Sequence, residues 1–497
     1  MHRILLSLLV ALALLAGGTA AAQSGSGNDL PDIGTPADST ITRGDEYQIG
    51  LMIVRGLREQ GQVLDDPEVN DYIQSLGSRI VAQAQEGGQR FQFFVVPDSS
   101  INAFALPGGF IGVNQGLVTA TAHEAQLASV LAHEVAHVTQ RHIARSIRAQ
   151  GRQSLASAAA ILASILIGAA TGSGDAVQAG IAIAQGTAVQ QRINFTRANE
   201  YEADRIGIGF LAAAGFDPQA MPDFFATLGR RAGLSGSVDV PEFLRTHPVT
   251  TNRIAESRDR AAQLRPKVAV QSPTYDFIRE RVRVLGAAQG SDLRQYYAAL
   301  AENRTLSPAQ RYGEALARSD AGDRGRAAAA LRELNALQPG SPMLQAALGQ
   351  ALSDEGRVPE ALEVLRGGLA VAPRNVPLTV RYGETLLKAG DAKRAHEVLL
   401  DLFNYVPPTP EQIRLTALAA SSAGDTGDAY YYMGEYHISS GDLAMATKQL
   451  ELALADPAIT PVQRARFEAR MKEVRDVLKE SGKRRSRDRP DEGAGRG

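Results

Sequence analysis

Apolar positions change their spacing several times along this chain, and each change marks a different element. Ile4 to Ala16 is an apolar run behind the basic start His2–Arg3. RFQFFVVPD (90–98) is short, aromatic and branched, which predicts a strand. INAFALPGGFIGVNQGL (101–117) holds two short apolar stretches around Pro107-Gly108-Gly109, which predicts a β-hairpin turning there. From about Ala122 to Ala149 the spacing becomes helical, with Leu127, Val130, Leu131, Val135 and Val138 on one stripe. Residues 153–191 carry Asp175 as their only charge and break at Gly172–Gly174. That pattern predicts two apolar helices, each too short for a confident bilayer span. They read as a covered hairpin or as a flap touching substrate or membrane. NEYEADRIGIGFLAAAGFDP predicts a helix ending at Gly215, with Pro218 beyond it. Helical connecting segments follow from Pro241 to Leu306.

Beyond Leu306 the chain repeats. Gly322, Gly356, Gly390 and Gly424 are 34 residues apart, Pro339, Pro373 and Pro407 keep that step, and an alanine follows each glycine by five. This is the tetratricopeptide period, with small residues at helix contacts. About four units are expected between Ser307 and Pro457, with an irregular step near 410–427. The last charged, glycine-rich stretch is expected to be a disordered tail.

Composition narrows the chemistry. The 497 residues suffice for two or three domains, and 44% hydrophobic residues suffice for their cores. The formal net charge of −2 gives no footing for a nucleic-acid partner. The absence of cysteine removes disulfides and thiolate chemistry, so a metal site must use His, Asp or Glu. The small residues of GTAAA after the apolar run complete the pattern of a cleaved secretory signal, so an exported protein is expected.

The eight histidines are not evenly spread: VLAHEVAHVTQRHIAR (130–145) holds three. On a helix His133 and His137 differ in direction by only about 40°. They can bind one metal ion, with Glu134 beside it, in the H-E-x-x-H arrangement of zinc peptidases. Zinc in a catalytic site takes a third protein ligand and keeps one position open. His142 or its surroundings is one source. The metzincin extension is rejected, because Gln140 and Ile143 stand where glycine and histidine are needed. Glu200 is the other source, and Asp204, one turn on, could then hold a ligand histidine by its second ring nitrogen. Glu202 points elsewhere and reads as surface.

HEVAH followed by E-x-x-A-D resembles the gluzincin family that contains HtpX and the CAAX prenyl proteases, and in particular its exported, repeat-bearing branch. The likeness extends through INAFALPGGFIGV, NEYEADRIGI, THPVTTNRI and the repeats, and departs from the family at HEAQ before the metal helix. It implies an α+β, mainly α, fold: an N-terminal gluzincin metalloprotease domain with a small sheet, then an α-solenoid of tetratricopeptide repeats. The expected boundaries are a signal over 1–22, a flexible segment over 23–44, the protease domain over 45–265 with its flap at 153–191, a helical connector over 266–306, repeats over 307–478 and a tail over 479–497. Position by position, the resemblance makes His133, His137 and Glu200 the ligands of one zinc ion, Glu134 the base and Asp204 a partner of a ligand. His142 and His123 are then bystanders on the metal helix.

The expected chemistry is hydrolysis of a peptide bond without a covalent intermediate. Substrate would lie extended along the hairpin edge at Asn102, Ala103 and Phe104, adding a strand. His247 precedes Pro248 and so lies on an extended loop. It would stabilise an oxyanion or, as the resemblance implies, fill the fourth zinc position and restrain the enzyme. Arg253 would assist the carbonyl or hold that loop. The resemblance also implies a periplasmic protease acting on unfolded or misassembled outer-membrane proteins. Its repeats would engage the outer-membrane assembly machinery, with possible peripheral membrane contact. The alternative is a periplasmic chaperone or scaffold that works through its repeats without proteolysis.

Overall fold

The computed structural model describes residues 42–84, 89–149, 197–234, 241–265, 272–287, 291–405 and 407–487. The expected signal, the apolar flap at 153–191 and residues 488–497 lie outside the described residues. The first helix, α1 (Arg43–Glu59), begins at a reciprocal cap between Thr42 and Asp45, and α2 (Pro67–Val81) begins at Asp66, whose side chain accepts from the Val69 amide.

The sheet has three strands in the order β1-β3-β2. β1 (Gln92–Val96) runs parallel to β3 (Phe110–Asn114), and β2 (Ala103–Leu106) pairs antiparallel with β3. The expected hairpin is therefore present, turning through Pro107–Gly109. Side chains alternate between the two faces of a strand. Phe94, Val96, Leu106 and Phe110 pack on α1, while Phe93, Val95, Ile111 and Val113 join the larger core beneath α2 and the metal helix. Coverage on both faces explains why all five residues of β3 are buried.

After α3 (Gln115–Ala120) comes α4 (Glu124–Thr139), buried along its whole length. The single helix expected from 122 to 149 is broken. Gln140 caps α4, Arg141 takes a φ of 51°, and α5 (His142–Ala149) leaves in a new direction. A non-glycine residue in this left-handed region costs roughly 1–2 kcal/mol. The buried Arg141 guanidinium offsets it through an ion pair with Glu46 of α1, at 3.0 Å. Then follow α6 (Arg197–Ala213), α7 (Ala220–Leu234), the short α8 (Glu242–Thr246) and α9 (Thr251–Gln263), which is capped by Thr250.

The repeats are paired antiparallel helices from Pro308–Asp320 to the long closing helix Pro461–Arg487. Gly322, Gly356, Gly390, Gly424 and Gly441 all have positive φ and end helices in the left-handed conformation that glycine takes without steric cost. Ser307, Ser341, Asn375 and Thr409, again 34 apart, cap the first helix of each unit by accepting an amide proton. The step at Thr409–Gly424 is thus regular. The register slips later, where Gly441 follows Gly424 after half a period and joins Thr426–Ser439 to Leu443–Ala455. The closing helix continues to Arg487 and so takes in part of the stretch expected to be a tail, whose Lys, Arg and Glu residues are good helix formers.

One hydrophobic core runs without interruption from Val69 and Ile73 through α4 to Leu331, Leu348 and Ala361 of the repeats. A buried ion cluster reinforces it. Arg281, on the connecting helix α10 (Tyr275–Leu285), grips Asp66 at 2.7 and 2.6 Å and Glu68 at 3.0 Å. Arg381 of the repeats reaches Glu68 at 2.7 Å and Asp66 at 3.0 Å. Burial would raise the Asp66 carboxyl, but Arg281 and Arg381 outweigh it and hold the group at about 2. Its contribution to stability is therefore complete above the unfolded value near ~4 and is lost as pH falls towards 2. Arg381→Ala leaves buried carboxylates short of a partner, and should lower the unfolding free energy by about 3–5 kcal/mol. Urea unfolding of the full chain at neutral pH measures this, and a loss within about 0.5 kcal/mol, as for an ordinary surface change, would contradict it.

Candidate metal centre

The site forms where α4 and α6 come unusually close. A Cβ on Gly207 of α6 would stand 2.8 Å from the Ala132 carbonyl oxygen and 3.0 Å from the His133 nitrogen. Only a glycine lets the two backbones meet at that distance. The approach brings the first two turns of α6 against the last two of α4. His133, Glu134 and His137 of α4, with Glu200 and Asp204 of α6, are all buried there.

His133 and His137 turn their Nε2 atoms towards each other, 3.0 Å apart. Glu200 faces both, with Oε2 3.6 Å from His133 Nε2 and Oε1 3.5 Å from His137 Nε2. His247, from the loop between α8 and α9, brings Nδ1 to 3.0 Å from Glu200 Oε1 and 3.4 Å from His133 Nε2. Each of these four residues offers one ligand atom within 4.8 Å of the others. Asp204 lies behind, with Oδ1 3.0 Å from His133 Nδ1. Arg253 donates to both Asp204 oxygens at 2.7 and 2.8 Å, to the Pro248 carbonyl at 2.8 Å, and approaches Glu200 Oε2 at 2.8 Å.

This donor set fits a divalent cation. Glu134, Glu200 and Asp204 are three buried carboxylates, and among the described residues the buried guanidinium paired with them is that of Arg253, which meets Glu200 and Asp204. The surplus is two negative charges, and neutral imidazoles suit zinc. Among the described residues neither carboxylate oxygen of Glu134 receives a well-formed hydrogen bond. Burial raises the Glu134 carboxyl above its usual range, against the opposing pull of His247, His133 and the Ala105 amide. Burial likewise drives His137 well below the ordinary histidine value, with His133 adding to the effect. At Glu200 burial acts upward, but His247 and His133 hold it well below the usual carboxylate range.

The chain matches the family model "Peptidase family M48" over residues 67–261 and a tetratricopeptide repeat model over 352–419. It is 34% identical over 474 residues to the β-barrel assembly-enhancing protease of Escherichia coli K12, covering 94% of this chain and 95% of that one. It is 34% identical over 455 residues to the putative enzyme of that name from Vibrio cholerae, covering 90% of this chain and 92% of that one. The chain belongs to peptidase family M48. It is a metalloendopeptidase of that family with tetratricopeptide repeats. A more distant relative, the mitochondrial metalloendopeptidase OMA1 of Arabidopsis thaliana, is 32% identical over 190 residues, covering 38% of this chain and 36% of that one.

In this M48 peptidase the expected residues divide into those that meet and those that do not. His133, Glu134, His137, Glu200, Asp204, His247 and Arg253 form one cluster. Asn102, Ala103 and Phe104 do not join it: they lie on or beside the edge strand β2, and Ala105 is the residue whose amide acts on Glu134. The Phe243 amide donates to the Ile101 carbonyl at 3.0 Å, tying α8 to the entrance of that strand. His123 stands half-buried at the start of α4, away from the cluster.

Two expectations need correction. His142 does not lie on the metal helix: it opens α5, is fully buried, and sets Nδ1 2.9 Å from His137 Nδ1. Glu202 is not a plain surface residue, since its Oε2 lies 3.2 Å from His142 Nε2 and accepts from Arg145 at 3.1 Å. Helical spacing could not find either contact, because α4 ends before His142.

Gly207→Ala should force α6 away from α4. The expected result is a metal content clearly below one ion per chain, with about 1–3 kcal/mol of lost stability. Elemental analysis of purified protein and urea unfolding test this; full occupancy at unchanged stability would contradict the close-approach argument.

Proposed function

We propose that this M48 peptidase is a zinc-dependent endopeptidase of the bacterial periplasm that removes misfolded or stalled outer-membrane β-barrel proteins and assists their assembly. The observation that carries the reading is the convergence of His133, His137 and Glu200 on one point, with Glu134 buried beside them. These three residues would hold one zinc ion. Zinc bound there supplies Lewis acidity towards a peptide carbonyl and lowers the pKa of a water molecule. Glu134 accepts the proton of the attacking water and delivers it to the leaving nitrogen. Asp204 Oδ1, 3.0 Å from His133 Nδ1, is placed to take its proton and so keep Nε2 free to ligate. Arg253 holds Asp204 and, through the Pro248 carbonyl, the loop that carries His247.

Substrate adds as a strand along β2, at Asn102, Ala103 and Phe104. Support comes from its place at the sheet edge and from the link between Ala105 and Glu134. Main-chain pairing of this kind reads little side-chain sequence and suits exposed, unfolded segments. The names of the relatives support a part in β-barrel assembly, and the outer-membrane substrates and the assembly machinery as a partner of the repeats follow from the family resemblance. The compartment rests on the family resemblance and on the signal-like start of the chain. Among the described residues no helix is long and apolar enough to cross a membrane.

His247 restrains the enzyme at rest. Support comes from its Nδ1, which lies among the ligand atoms 3.0 Å from Glu200, and from its Nε2, 3.6 Å from Glu134 Oε1, where it would compete with water for the metal. A fourth protein ligand closes a catalytic zinc site. Movement of the loop would open it.

Glu134→Gln should keep fold and zinc while cutting proteolysis of casein or an unfolded β-barrel protein by about 10²-fold or more. Undiminished cleavage by the zinc-loaded variant would sink the mechanism. Zinc-loaded wild-type protein that never cleaves but still prevents aggregation would favour the chaperone reading.

His247→Ala separates the remaining choices with the same purified protein and substrate. Restraint predicts faster cleavage with zinc retained. Slower cleavage with zinc retained would make His247 an oxyanion donor, and an unchanged rate would deny it either role.

A further inference from the structure

The interior of this site holds one histidine that the proposed mechanism does not use. His142 is fully buried, stacked edge-on against His137 with ring centroids 4.8 Å apart, and its two nitrogens meet two different partners. Nδ1 is 2.9 Å from His137 Nδ1, and Nε2 is 3.2 Å from Glu202 Oε2.

The protons on these rings can be assigned from the geometry. His137 Nε2 points into the ligand cluster, 3.0 Å from His133 Nε2 and 3.5 Å from Glu200 Oε1. An imidazole that gives the lone pair of one nitrogen to a metal carries its proton on the other. His137 Nδ1–H must then donate, and His142 Nδ1 must accept. The proton of a neutral His142 is thereby placed on Nε2, where it donates to the Glu202 carboxylate. Each atom of the chain His137–His142–Glu202 has one role, and no unusual charge state is needed.

We propose that His142 is a positioning residue for the metal site: backed by Glu202, it fixes the tautomer and ring orientation of His137. The inference rests on the reading of His137 as a metal ligand. It gives the two ligand histidines different supports. His133 is held directly by the Asp204 carboxylate, while His137 is held by a carboxylate acting through a second imidazole.

The chain is built to deliver His142 to this place. The left-handed turn at Arg141 ends α4 and swings His142 back under His137, and the Glu46–Arg141 ion pair fastens the turn to α1. Arg145, one turn into α5, holds Glu202 from the other side at 3.1 Å. α4 and α6 are thus joined twice, once through the ligand cluster and once through this relay.

Outer hydrogen-bond partners of ligand histidines are typically worth about 10–100-fold in metal affinity. The test uses the full-length protein and measures zinc affinity by competition with a chromophoric chelator. His142→Phe keeps a ring of similar size but cannot accept a proton. It should weaken zinc binding by about 10–100-fold, while His142→Asn, whose side-chain oxygen can accept from His137 Nδ1–H, should restore most of the loss. Glu202→Ala, at a partly exposed position that tolerates change, should weaken binding by several-fold and carries the test if the Phe variant does not fold. Nitrogen NMR of the zinc-loaded wild-type protein should show His137 protonated on Nδ1. Wild-type zinc affinity in the Phe variant or in Glu202→Ala, equal losses in the Phe and Asn variants, or a His137 protonated on Nε2 would each overturn the proposal. A different result tests the parent reading: if His137→Ala binds zinc as tightly as wild type, His137 is not a ligand and the metal-site assignment itself fails.

Discussion

The structure turns on three buried carboxylates, two of them gripped by one guanidinium. Glu134, Glu200 and Asp204 are almost wholly removed from water, and among the described residues Arg253 is the permanent cation that pairs with Glu200 and Asp204. Burying unpaired charge is among the most expensive things a fold can do. A divalent metal would bring two positive charges to them, and burial otherwise raises the Glu134 carboxyl above its usual range. The rest of the domain follows from this demand. α4 is buried along its whole length so that its two histidines share a dry environment, and α6 must approach at glycine distance for Glu200 to reach them both. Asp204 and Arg253 then serve twice, orienting His133 and anchoring the loop of His247.

Much of this was legible in the sequence because it is local. The i, i+4 spacing of His133 and His137 states their shared direction, and the same spacing relates Glu200 to Asp204. The hairpin at 107–109 and the 34-residue recurrence of helix-ending glycines are written in turn chemistry, which depends on neighbouring residues alone. That Glu200 rather than His142 belongs with the histidines came from resemblance to a family, since spacing left both open.

What the sequence concealed depends on partners distant in the chain. Nothing between Ala122 and Ala149 announces a break, because no glycine or proline marks it; Arg141 takes the left-handed conformation with support from Glu46, 95 residues earlier. Missing that break left His142 on the wrong helix and Glu202 facing solvent. Asp66 and Glu68 likewise read as the ordinary acidic start of a helix. In the fold they are buried, with Arg281 and Arg381 arriving from more than 200 and 300 residues away. A local rule detects the cap that Asp66 makes and is blind to the ion pairs.

That cluster also decides what kind of adaptor the repeats are. A tetratricopeptide array on a loose linker could tether a partner near the protease without fixing where it lies. Here the first repeats share the hydrophobic core of the peptidase, and Arg381 seals the contact at the N-terminus of α2. α2 in turn packs in the same core as α4. A partner seated on the first repeats is therefore held at a set distance from the cleft, two layers of packing from the metal helix. If substrate pairs along β2 as proposed, backbone is read more than sequence, and position is the remaining means of choosing a substrate. The shared core would let the repeats make that choice, with the cleft left to act on the segment brought to it.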